Sequence, residues 1–502
     1  MHTRGKGILI SYCKIVVNML CGVILSSALL RMLGDTEYGI YQTVAAFANY
    51  LILLEFGVGT VMVRNISMCR GSGAGEEEIQ RHITTNWTLT GILALFLVLV
   101  SVLFYFTLPK IYANSMTAEQ ILHGQQIFAV SVGHLLTTFL IHTVNAIILS
   151  YEDYTFGSLQ STIRTLGRTV LLLVLLLCVR NALVIVWVDA ALGAICLFSS
   201  CRYCRKKLNI KLHFGKCDPV ILRASAPLAL AVFMQGIVNQ ANNNVAKILV
   251  GAFLSPEIVS LYSVALYIYS IFLSLVNVAS AMYVPTVTQQ VGCGLRGKDL
   301  AKELIPPCRL TALLGGLVLF GFMALGGQFV EILYGKEYLI AWPIAIILMT
   351  PAYIDTVVDV MVHVLNAMNK RMMRSVVLVL TTALNIVCTV ICLKRWGIFE
   401  TAIATSVCTV IGPILIMNMY YAKVIKVPML WLFRQVFRGI LLYLVLGSAA
   451  AVVVGHLIQN VYLSFLAGGV IFVIVALGGY FLFGMTDAEK NKVQKVIRKF
   501  VK

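Results

Sequence analysis

The stretch from Gly236 to Leu254 reads GIVNQANNNVAKILVGAFL and lies within apolar sequence long enough to cross a bilayer. Its first dozen residues hold five amides and a lysine. Placed on a helix at about 100° per residue, these polar side chains cover about half of the circumference, and aliphatic side chains cover the rest. A face this polar must contact partners or water, because an unpaired amide in hydrocarbon costs on the order of several kcal/mol. One or two amides are typical of hydrogen bonding between helices, whereas this number of amides beside an ammonium group favours a hydrated cavity.

The composition of the whole chain is that of a membrane protein. Of its 502 residues, 60% are hydrophobic and 12% are charged, about half the charged fraction of a soluble protein. Apolar runs near 20 residues recur along the chain, each the length that a helix needs to cross about 30 Å of hydrocarbon. They predict an all-α polytopic membrane protein and exclude a β-barrel, whose segments are shorter and alternate. The fourteen predicted spans are 8–30, 40–62, 87–106, 127–150, 160–179, 182–200, 225–249, 258–281, 309–326, 341–364, 373–393, 398–422, 438–458 and 461–483.

The basic residues predict the orientation. With the N-terminus inside, most of the 39 Lys and Arg residues fall in cytoplasmic segments, as the positive-inside rule requires. The basic residues predicted outside are Arg31, Lys110, Arg180, Lys336, Lys394 and Arg395, and those within spans are Lys14 and Lys247. The net charge of +18 therefore indicates topology and contact with anionic lipids on the cytoplasmic face, not nucleic-acid binding.

Two further features lie outside the spans. The basic tail opens with a capping-box pattern, Thr486-x-x-Glu489, and predicts an amphipathic helix on the inner membrane surface; a solvated helix is the alternative. Cys201 and Cys204 form a C-x-x-C, but no second pair or histidine cluster completes a metal site. We therefore expect no metal and no cofactor.

Two similar loops indicate an internal repeat. LGDTEYGIY at Leu33–Tyr41 is similar to LSPEIVSLY at Leu254–Tyr262, at an offset of 221 residues. The same offset places the HTVNA segment around His142 on the HVLNA segment around His363. Six spans per half give both halves one orientation, so the repeat is parallel, and its halves enclose a central cavity. The predicted domains are an N-lobe of helices 1–6 (1–214), a C-lobe of helices 7–12 (215–425), two accessory helices (426–485) and a cytoplasmic tail (486–502).

The polar residues of the predicted cavity suggest its ligand. Lysine attracts phosphate as a point charge, and amides donate to and accept from sugar hydroxyls. Together they indicate a sugar joined to a phosphate or pyrophosphate. Arg64, at the end of the second span, either meets that phosphate at the inner mouth or is an ordinary positive-inside anchor. The predicted substrate-binding residues are Lys14, Asn18, Arg64, Gln235, Asn239, Asn242, Asn243 and Lys247.

Acidic side chains within spans give a second prediction. The acids in the predicted spans are Glu55, Asp189, Asp355 and Asp359. Those of span ten share a helix face with His363, at spacings of three or four residues. Such a row either carries a coupling proton or sodium ion or forms ion pairs with Lys14 or Lys247. The predicted ion-coupling residues are Glu55, Asp355, Asp359 and His363.

Several segments resemble the MOP exporter superfamily, and within it the polysaccharide biosynthesis proteins that include the O-antigen flippases. The matching segments are LGDTEYGIY after span one, LEFGVGTVMVRN ending span two, YVPTVTQQVG after span eight, LYGKEYLIAWPIAIIL entering span ten and VLNAMNKRMMRSVVLVLTTALNI across spans ten and eleven. The resemblance implies two six-helix lobes in an inverted V and alternating access. It also implies ion-driven flipping of undecaprenyl-pyrophosphate-linked oligosaccharide to the outer leaflet of the bacterial cytoplasmic membrane.

The resemblance also bears on residues and subfamily. Family members bind pyrophosphate with basic cavity residues, a role that Lys14, Lys247 and Arg64 can take here. Glu55 stands where an aspartate is common. Fourteen spans are closer to the lipid II and sporulation-type flippases, in which the extra pair helps form a groove for the lipid tail. A polysaccharide polymerase is an expected partner.

Three alternatives stay open. A multidrug extruder of the same superfamily has the same architecture; lysines in the cavity disfavour its cationic cargo, and the acids in spans two, six and ten favour it. A membrane enzyme, such as a polysaccharide polymerase or ligase, is expected to carry a large outer loop with catalytic residues. No predicted outer loop exceeds about 20 residues, so we expect no catalytic residue. A lipid scramblase or a structural role is the third alternative.

Overall fold

The computed structural model describes residues 2–73, 75–368, 370, 372–395, 397–486 and 489–490. Side chains are described over the same ranges, except at residues 2–16, 154, 238, 239, 242, 243, 285, 394 and 395. The described residues form helices joined by turns and by a longer linker over residues 208–218, and they contain no β-strand. In chain order the α-helices are α1 (His2–Leu33), α2 (Asp35–Leu51), α3 (Val58–Gly71), α4 (Glu76–Tyr112), α5 (Ala118–Ser150), α6 (Tyr154–Cys178), α7 (Leu183–Lys207), α8 (Pro219–Gln240), α9 (Ala246–Phe253), α10 (Pro256–Ala281), α11 (Val284–Gly292), α12 (Gly297–Leu333), α13 (Ala341–Val357), α14 (Val360–Ala367), α15 (Met372–Arg395), α16 (Ile398–Thr409), α17 (Met417–Tyr420), α18 (Met429–Phe437), α19 (Ile440–Leu457) and α20 (Val461–Gly479). Between them lie 3₁₀ turns at Ile52–Glu55 and Lys336–Tyr338 and π-helical turns at Ala241–Val245, Val410–Ile416, Tyr421–Ile425 and Tyr480–Gly484.

The helices have the length and surface of membrane spans. In the described part of the chain, 13 helical segments are long and apolar enough to cross a bilayer, and Val17–Leu33 adds a shorter apolar helix. Large apolar side chains point away from the protein: Leu95 of α4 is 64% exposed, and Leu177 of α6 is 70% exposed. Lipid matches such a surface, whereas water does not. The prediction of an all-α polytopic membrane protein with about fourteen spans is confirmed.

Residue contacts divide the chain into two units, Met1–Leu261 and Tyr262–Lys502, which we name the first unit and the second unit. In the first unit, α5 packs against α3, α4 and α7, and α1 packs against α6. In the second unit, α12 packs against α13, α18, α19 and α20. The predicted domain boundaries after residues 214, 425 and 485, and the predicted cavity between the two halves, stay predictions.

The positions where helices begin follow the repeat. Helix α2 begins at Asp35 and α10 begins at Pro256, which is the offset predicted from the two similar loops. Gly34, which precedes α2, has a φ of +81°, a conformation that costs glycine little and lets the chain turn sharply after α1. Helices α8 and α9, joined by a π-helical turn, form the amide-rich seventh span and pack against α3 and α2 within the first unit.

Of the predicted tail helix, the structure describes residues 486, 489 and 490. The Glu489 carboxylate accepts hydrogen bonds from the Thr486 backbone N–H at 2.8 Å and from the Thr486 hydroxyl at 2.9 Å. The backbone bond is the half of a capping box in which the acid satisfies a free donor at the helix start. The rest of the predicted amphipathic helix lies outside the described residues.

Candidate functional site

The second span is broken inside the first unit. Helix α2 ends at Leu51, and after the 3₁₀ turn Phe56 and Gly57 have φ values of +50° and +68°, before α3 begins at Val58. A Cβ at Gly57 would lie 2.5 Å from the Val232 side chain, so both the backbone angle and the close contact require glycine. The break exposes the backbone N–H groups that start α3. The Gly59 N–H points at a carboxylate oxygen of Glu55, 3.4 Å away.

The break brings Glu55 to a histidine of the fourth span. Glu55 Oε2 lies 2.8 Å from His142 Nδ1, and the Glu55 side chain is 14% exposed while that of His142 is 48% exposed. Glu55 was a predicted ion-coupling residue, and His142 was noted only as the repeat equivalent of His363. A carboxylate and an imidazole at hydrogen-bond distance can share, take up and release a proton.

A cavity opens beside this pair. Its volume is about 430 Å³, and its walls come from the break in the second span, from α5 and from α8. Phe233 of α8 stacks on Phe56 with ring centroids 4.4 Å apart, and Asn145 adds a polar group to the wall. The Glu55–His142 pair therefore lines a space that can hold water or a small ion within an apolar bundle.

The seventh span carries its polar residues on a widened helix. The π-helical turn Ala241–Val245 falls within the amide-rich stretch, and such turns occur often at functional positions. Lys247 Nζ donates to Gln42 Oε1 of α2 at 3.2 Å, and Asn244 donates to Gln240 at 2.6 Å. The predicted site residue Gln235 is half-buried. The side chains of Asn239, Asn242 and Asn243 lie outside the described residues.

The remaining predicted substrate residues lie in the first two spans. Asn18 is half-buried, and its Oδ1 atom is buried with no hydrogen-bond partner among the described residues. A buried carbonyl oxygen without a partner is costly, so it indicates a place for water or a ligand donor. Arg64 is exposed at the surface of α3, and the Lys14 side chain lies outside the described residues.

The predicted acid row of span ten is interrupted in the second unit. Helix α13 ends at Val357 and α14 begins at Val360, so Asp355 and His363 lie on different helices. Asp359 forms a 3.9 Å ion pair with Arg374 of α15. His363 Nε2 lies 3.3 Å from the hydroxyl of Ser280.

Arg374 is a partner that the sequence did not reveal. It also donates a 3.1 Å hydrogen bond to the Tyr421 hydroxyl. Lys14 and Lys247 were the ion-pair partners that the sequence suggested for the acids of span ten. Both lysines belong to the first unit, whereas Arg374 belongs to the second. Arg374 supplies Asp359 with a cation other than those two lysines, and the ion-coupling role of Asp359 stays a prediction.

The prediction that Lys14 and Lys247 are the basic residues within spans was wrong. Arg168 lies within α6, and its guanidinium makes two hydrogen bonds to the Asp189 carboxylate of α7, at 2.5 and 2.9 Å. His134 Nδ1 contacts the Asp189 carbonyl oxygen at 3.0 Å. Asp189, which was counted among the acids within spans, is therefore held by a two-point ion pair.

Comparison with known proteins gives one family and one fold. A family model described as polysaccharide biosynthesis protein matches residues 5–291. No curated protein matches the chain in sequence. The solved structure of the lipid II flippase MurJ, in an inward closed conformation, has a TM-score of 0.69 and 14% identity, over 95% of this chain and 98% of that chain.

Multidrug transporters share the fold. An inward-facing multidrug resistance MATE family transporter of the MOP superfamily has a TM-score of 0.62 and 14% identity, over 82% of this chain and 95% of that chain. A mutant of the MATE transporter VcmN of Vibrio cholerae has a TM-score of 0.58 and 12% identity, over 84% of this chain and 97% of that chain. At these identities the likeness concerns the fold, which is that of MOP transporters, as the sequence motifs predicted.

Proposed function

Because the chain belongs to the polysaccharide biosynthesis protein family, we propose that it is a flippase that carries a lipid-linked oligosaccharide from one leaflet of a membrane to the other. The fold supports this function, since it is shared with a flippase whose name states a lipid-linked substrate, lipid II. We infer transport without covalent chemistry, so the chain is not an enzyme in this proposal.

The observation that carries the proposal is the polar interior of the first unit. The cavity of about 430 Å³ beside Glu55 and His142 lies among helices whose outer surface is apolar. Ionisable groups within spans are costly and are typical of substrate and ion pathways. The volume is at the low end of the range for small-molecule sites, about 300–1,000 Å³. We therefore assign this cavity to the coupling ion, with Glu55 and His142 as its carriers, and not to the whole oligosaccharide.

The substrate-contacting groups in this proposal lie on the first and seventh spans. Lys247 is held by Gln42 through a neutral amide oxygen, so its charge is available to a phosphate. The Asn18 carbonyl oxygen, which has no hydrogen-bond partner among the side chains that the structure describes, can accept from a sugar hydroxyl. A cation and several amides fit a polyprenyl pyrophosphate that carries a sugar, with Lys14 as a second cation.

A multidrug extruder is the second candidate, and the Glu55 carboxylate in the cavity favours it, because an acid attracts a cationic drug. The two candidates differ in the charge of the cargo. The Lys247 ammonium group repels a cation and attracts a pyrophosphate. Its removal should therefore weaken transport of the lipid-linked oligosaccharide but not transport of a cationic drug.

We place the chain in the bacterial cytoplasmic membrane with both termini in the cytoplasm, where the basic loops meet anionic lipid. Expected partners are the lipid-linked oligosaccharide, a proton or sodium ion and a polysaccharide polymerase. A cysteine added after Lys502, in a variant whose 13 native cysteines are replaced by serine, is labelled in intact and permeabilised cells to test the orientation: labelling of intact cells by an impermeant reagent contradicts it.

The function is tested in liposomes that contain the purified chain. A fluorescent polyprenyl-pyrophosphate oligosaccharide is placed in both leaflets, and an impermeant quencher reports the fraction that changes leaflet when a pH or sodium gradient is applied. We expect gradient-driven movement with the wild-type chain and none in empty liposomes. Glu55→Gln should abolish the response to the gradient, whereas Glu337→Gln, at an exposed acid, should not.

The same liposomes distinguish the candidates. The extruder becomes the better proposal if the liposomes move an organic cation and do not move the lipid. In that case Lys247→Ala should leave cation movement unchanged or increase it. Movement of neither cargo under either gradient would reject transport by the isolated chain.

A further inference from the structure

The segment that links the sixth and seventh spans is fastened along the start of α4. Gln80 donates a hydrogen bond to the Lys211 carbonyl oxygen at 2.7 Å, and the Gly215 N–H donates to the Thr88 hydroxyl at 3.0 Å. The Asp218 N–H donates to the Thr85 hydroxyl at 3.3 Å. These bonds hold the linker at several points, so the space between it and the helices is a formed cavity.

An aromatic pair sets the depth of this cavity. Phe214 of the linker stacks on Trp87 with ring centroids 5.9 Å apart, and it lies over Gly91, where an added Cβ would be 2.8 Å from the ring. Phe214 is nevertheless 65% exposed, and the exposed apolar surface of α4 begins at Ile92. Phe214 therefore lies at the edge of the lipid-facing surface, where the aromatic residues of membrane proteins concentrate at the level of the headgroups.

The cavity combines an apolar wall with two cations. Its volume is about 800 Å³, and its lining includes Trp87, Ile210, Leu212, Arg205 and Lys211. Trp87 and Ile210 are buried, whereas the two basic residues are exposed. In the part of the chain that the structure describes, neither Arg205 nor Lys211 forms an ion pair with an acid. The cavity thus presents uncompensated positive charge beside hydrocarbon-like surface.

We propose that this cavity binds the phosphate headgroup of an anionic membrane phospholipid, with Arg205 and Lys211 on the phosphate and the acyl chains against Phe214. A phosphate diester matches the two cations, and Arg can contact two of its oxygens at once. The apolar wall selects the lipid over a soluble phosphate ester, which has nothing to place there. The position at the edge of the apolar belt is where the headgroup of a lipid beside α4 must lie.

The lipid would connect the linker to the membrane. Lys211 and Phe214 belong to the linker, whereas Trp87 and Arg205 belong to α4 and α7. A ligand that contacts all four residues stabilises the linker on these helices, because it binds only when they are assembled. This site is separate from the cavity beside Glu55, so the inference does not depend on the proposed function.

The test counts bound lipids on the intact, detergent-purified chain by native mass spectrometry. Phosphatidylglycerol is titrated against phosphatidylcholine, which has the same tails and no net charge. We expect the wild-type chain to retain one phosphatidylglycerol in preference to phosphatidylcholine. A basic residue near the membrane surface contributes about fivefold to the binding of anionic lipid, so Arg205→Gln with Lys211→Gln should weaken this preference roughly 30-fold.

The matched control is Arg202→Gln with Lys206→Gln. These basic residues lie on the same helix end, are exposed, do not line the cavity, and their removal changes the net charge equally. We expect the control to lose less than about fivefold. An equal loss in both double variants, or no loss in either, overturns the defined site. Size-exclusion profiles and thermal unfolding show whether each variant is folded.

Two further arms identify the ligand. Phe214→Ser should weaken phosphatidylglycerol binding and leave the charge unchanged, and it serves as the test if the double charge variant fails to fold. Glycerol phosphate, which is the headgroup without tails, should not displace the lipid at equal concentration. If glycerol phosphate displaces the lipid at equal concentration, the cavity is assigned to a soluble phosphate ester. If undecaprenyl pyrophosphate displaces the lipid at a hundredth of the lipid concentration, the cavity is assigned to the transported substrate. Either result overturns the phospholipid assignment.

Discussion

The Thr36 hydroxyl donates a 2.6 Å hydrogen bond to the Glu257 carboxylate, and the two residues are 221 positions apart. This separation is the offset of the internal repeat, so the bond joins equivalent positions at the starts of α2 and α10. A Cβ at Gly39, one turn into α2, would lie 1.8 Å from the Pro256 carbonyl oxygen. The two repeat-related helix starts therefore meet at backbone contact within the first unit.

This contact predicts that Gly39→Ala destabilises the protein. The methyl group has no space between two backbones, and overpacking of this kind costs about 1–3 kcal/mol or more. We expect a lower thermal unfolding midpoint in detergent. Gly133→Ala, at an exposed helical glycine with no neighbour within 4 Å of the added atom, is the control and should gain about 0.5–1 kcal/mol. Equal midpoints for the two variants would show that the backbone contact is absent.

The repeat was predictable because its evidence is local. Each copy of the repeated loop, LGDTEYGIY or LSPEIVSLY, is a run of nine consecutive residues next to an apolar run, so each can be recognised from local sequence and the two can then be matched at one offset. Ion pairs and helix breaks are not local. Glu55 meets His142 across 87 residues, and no proline marks the break between Leu51 and Val58. Arg168 reads as an ordinary basic residue until α7 brings Asp189 beside it.

The Glu55–His142 pair predicts a pH-dependent transport rate. Glu55→Gln keeps the shape and a hydrogen-bonding group but cannot change charge, so we expect at least a tenfold loss of gradient-driven lipid movement. His142→Gln should retain movement while changing its dependence on pH, because the substitution removes the imidazole from the pair. The rate is measured in liposomes between pH 5 and 8. Wild-type pH profiles in both variants would exclude the pair from coupling.

The cations of the first and seventh spans predict a loss of polysaccharide export. Lys247→Ala or Lys14→Ala removes a contact to a substrate phosphate, and a hydrogen bond to a charged group contributes about 1.5–3 kcal/mol, which is roughly a 10- to 150-fold change in binding. We expect surface polysaccharide to disappear while the protein stays in the membrane. Lys423→Ala, at an exposed residue that ends span twelve, is the control. Normal export in both single variants and in the double variant would contradict a phosphate role for these lysines.

Arg309 fastens the C-terminal helices to α12. Its side chain is 2% exposed and forms a 2.8 Å ion pair with Glu489. The other guanidinium nitrogens donate to the backbone carbonyl oxygens of Gln435, Val436, Arg438 and Gly484. Lysine keeps the charge but cannot reproduce this fork, and each buried carbonyl oxygen left without a donor costs about 1–3 kcal/mol. Arg309→Lys should therefore lower the unfolding midpoint strongly, whereas Lys302→Ala at an exposed site of the same helix should change the unfolding free energy by at most about 0.5 kcal/mol.

The Arg309–Glu489 pair also predicts acid sensitivity. Burial opposes ionisation of Glu489, but hydrogen bonds from Arg309 and Thr486 outweigh it and lower the pKa of this carboxyl below its usual value. A lowered folded-state pKa gives stability that is present above the unfolded value, about 4.3, and is lost as the pH falls through the folded value. Thermal unfolding from pH 7 to pH 3 should show this loss in the wild-type chain and a smaller loss in Glu489→Gln. The same pH dependence in both proteins would assign the acid sensitivity to other groups.

The Arg168–Asp189 pair predicts a coupling energy. Removal of either partner leaves a partly buried charge without its counter-ion, whereas removal of both leaves two neutral amides that can hydrogen-bond to each other. The free energies of unfolding lost in Arg168→Gln and in Asp189→Asn should together exceed the loss in the double variant. We expect this difference, which is the coupling energy, to be about 0.5–3 kcal/mol in denaturant unfolding. Arg164→Gln, one turn earlier on α6 and half-buried, is the control and should not couple to Asp189→Asn. Purely additive effects would show that the two side chains do not stabilise each other in the folded protein.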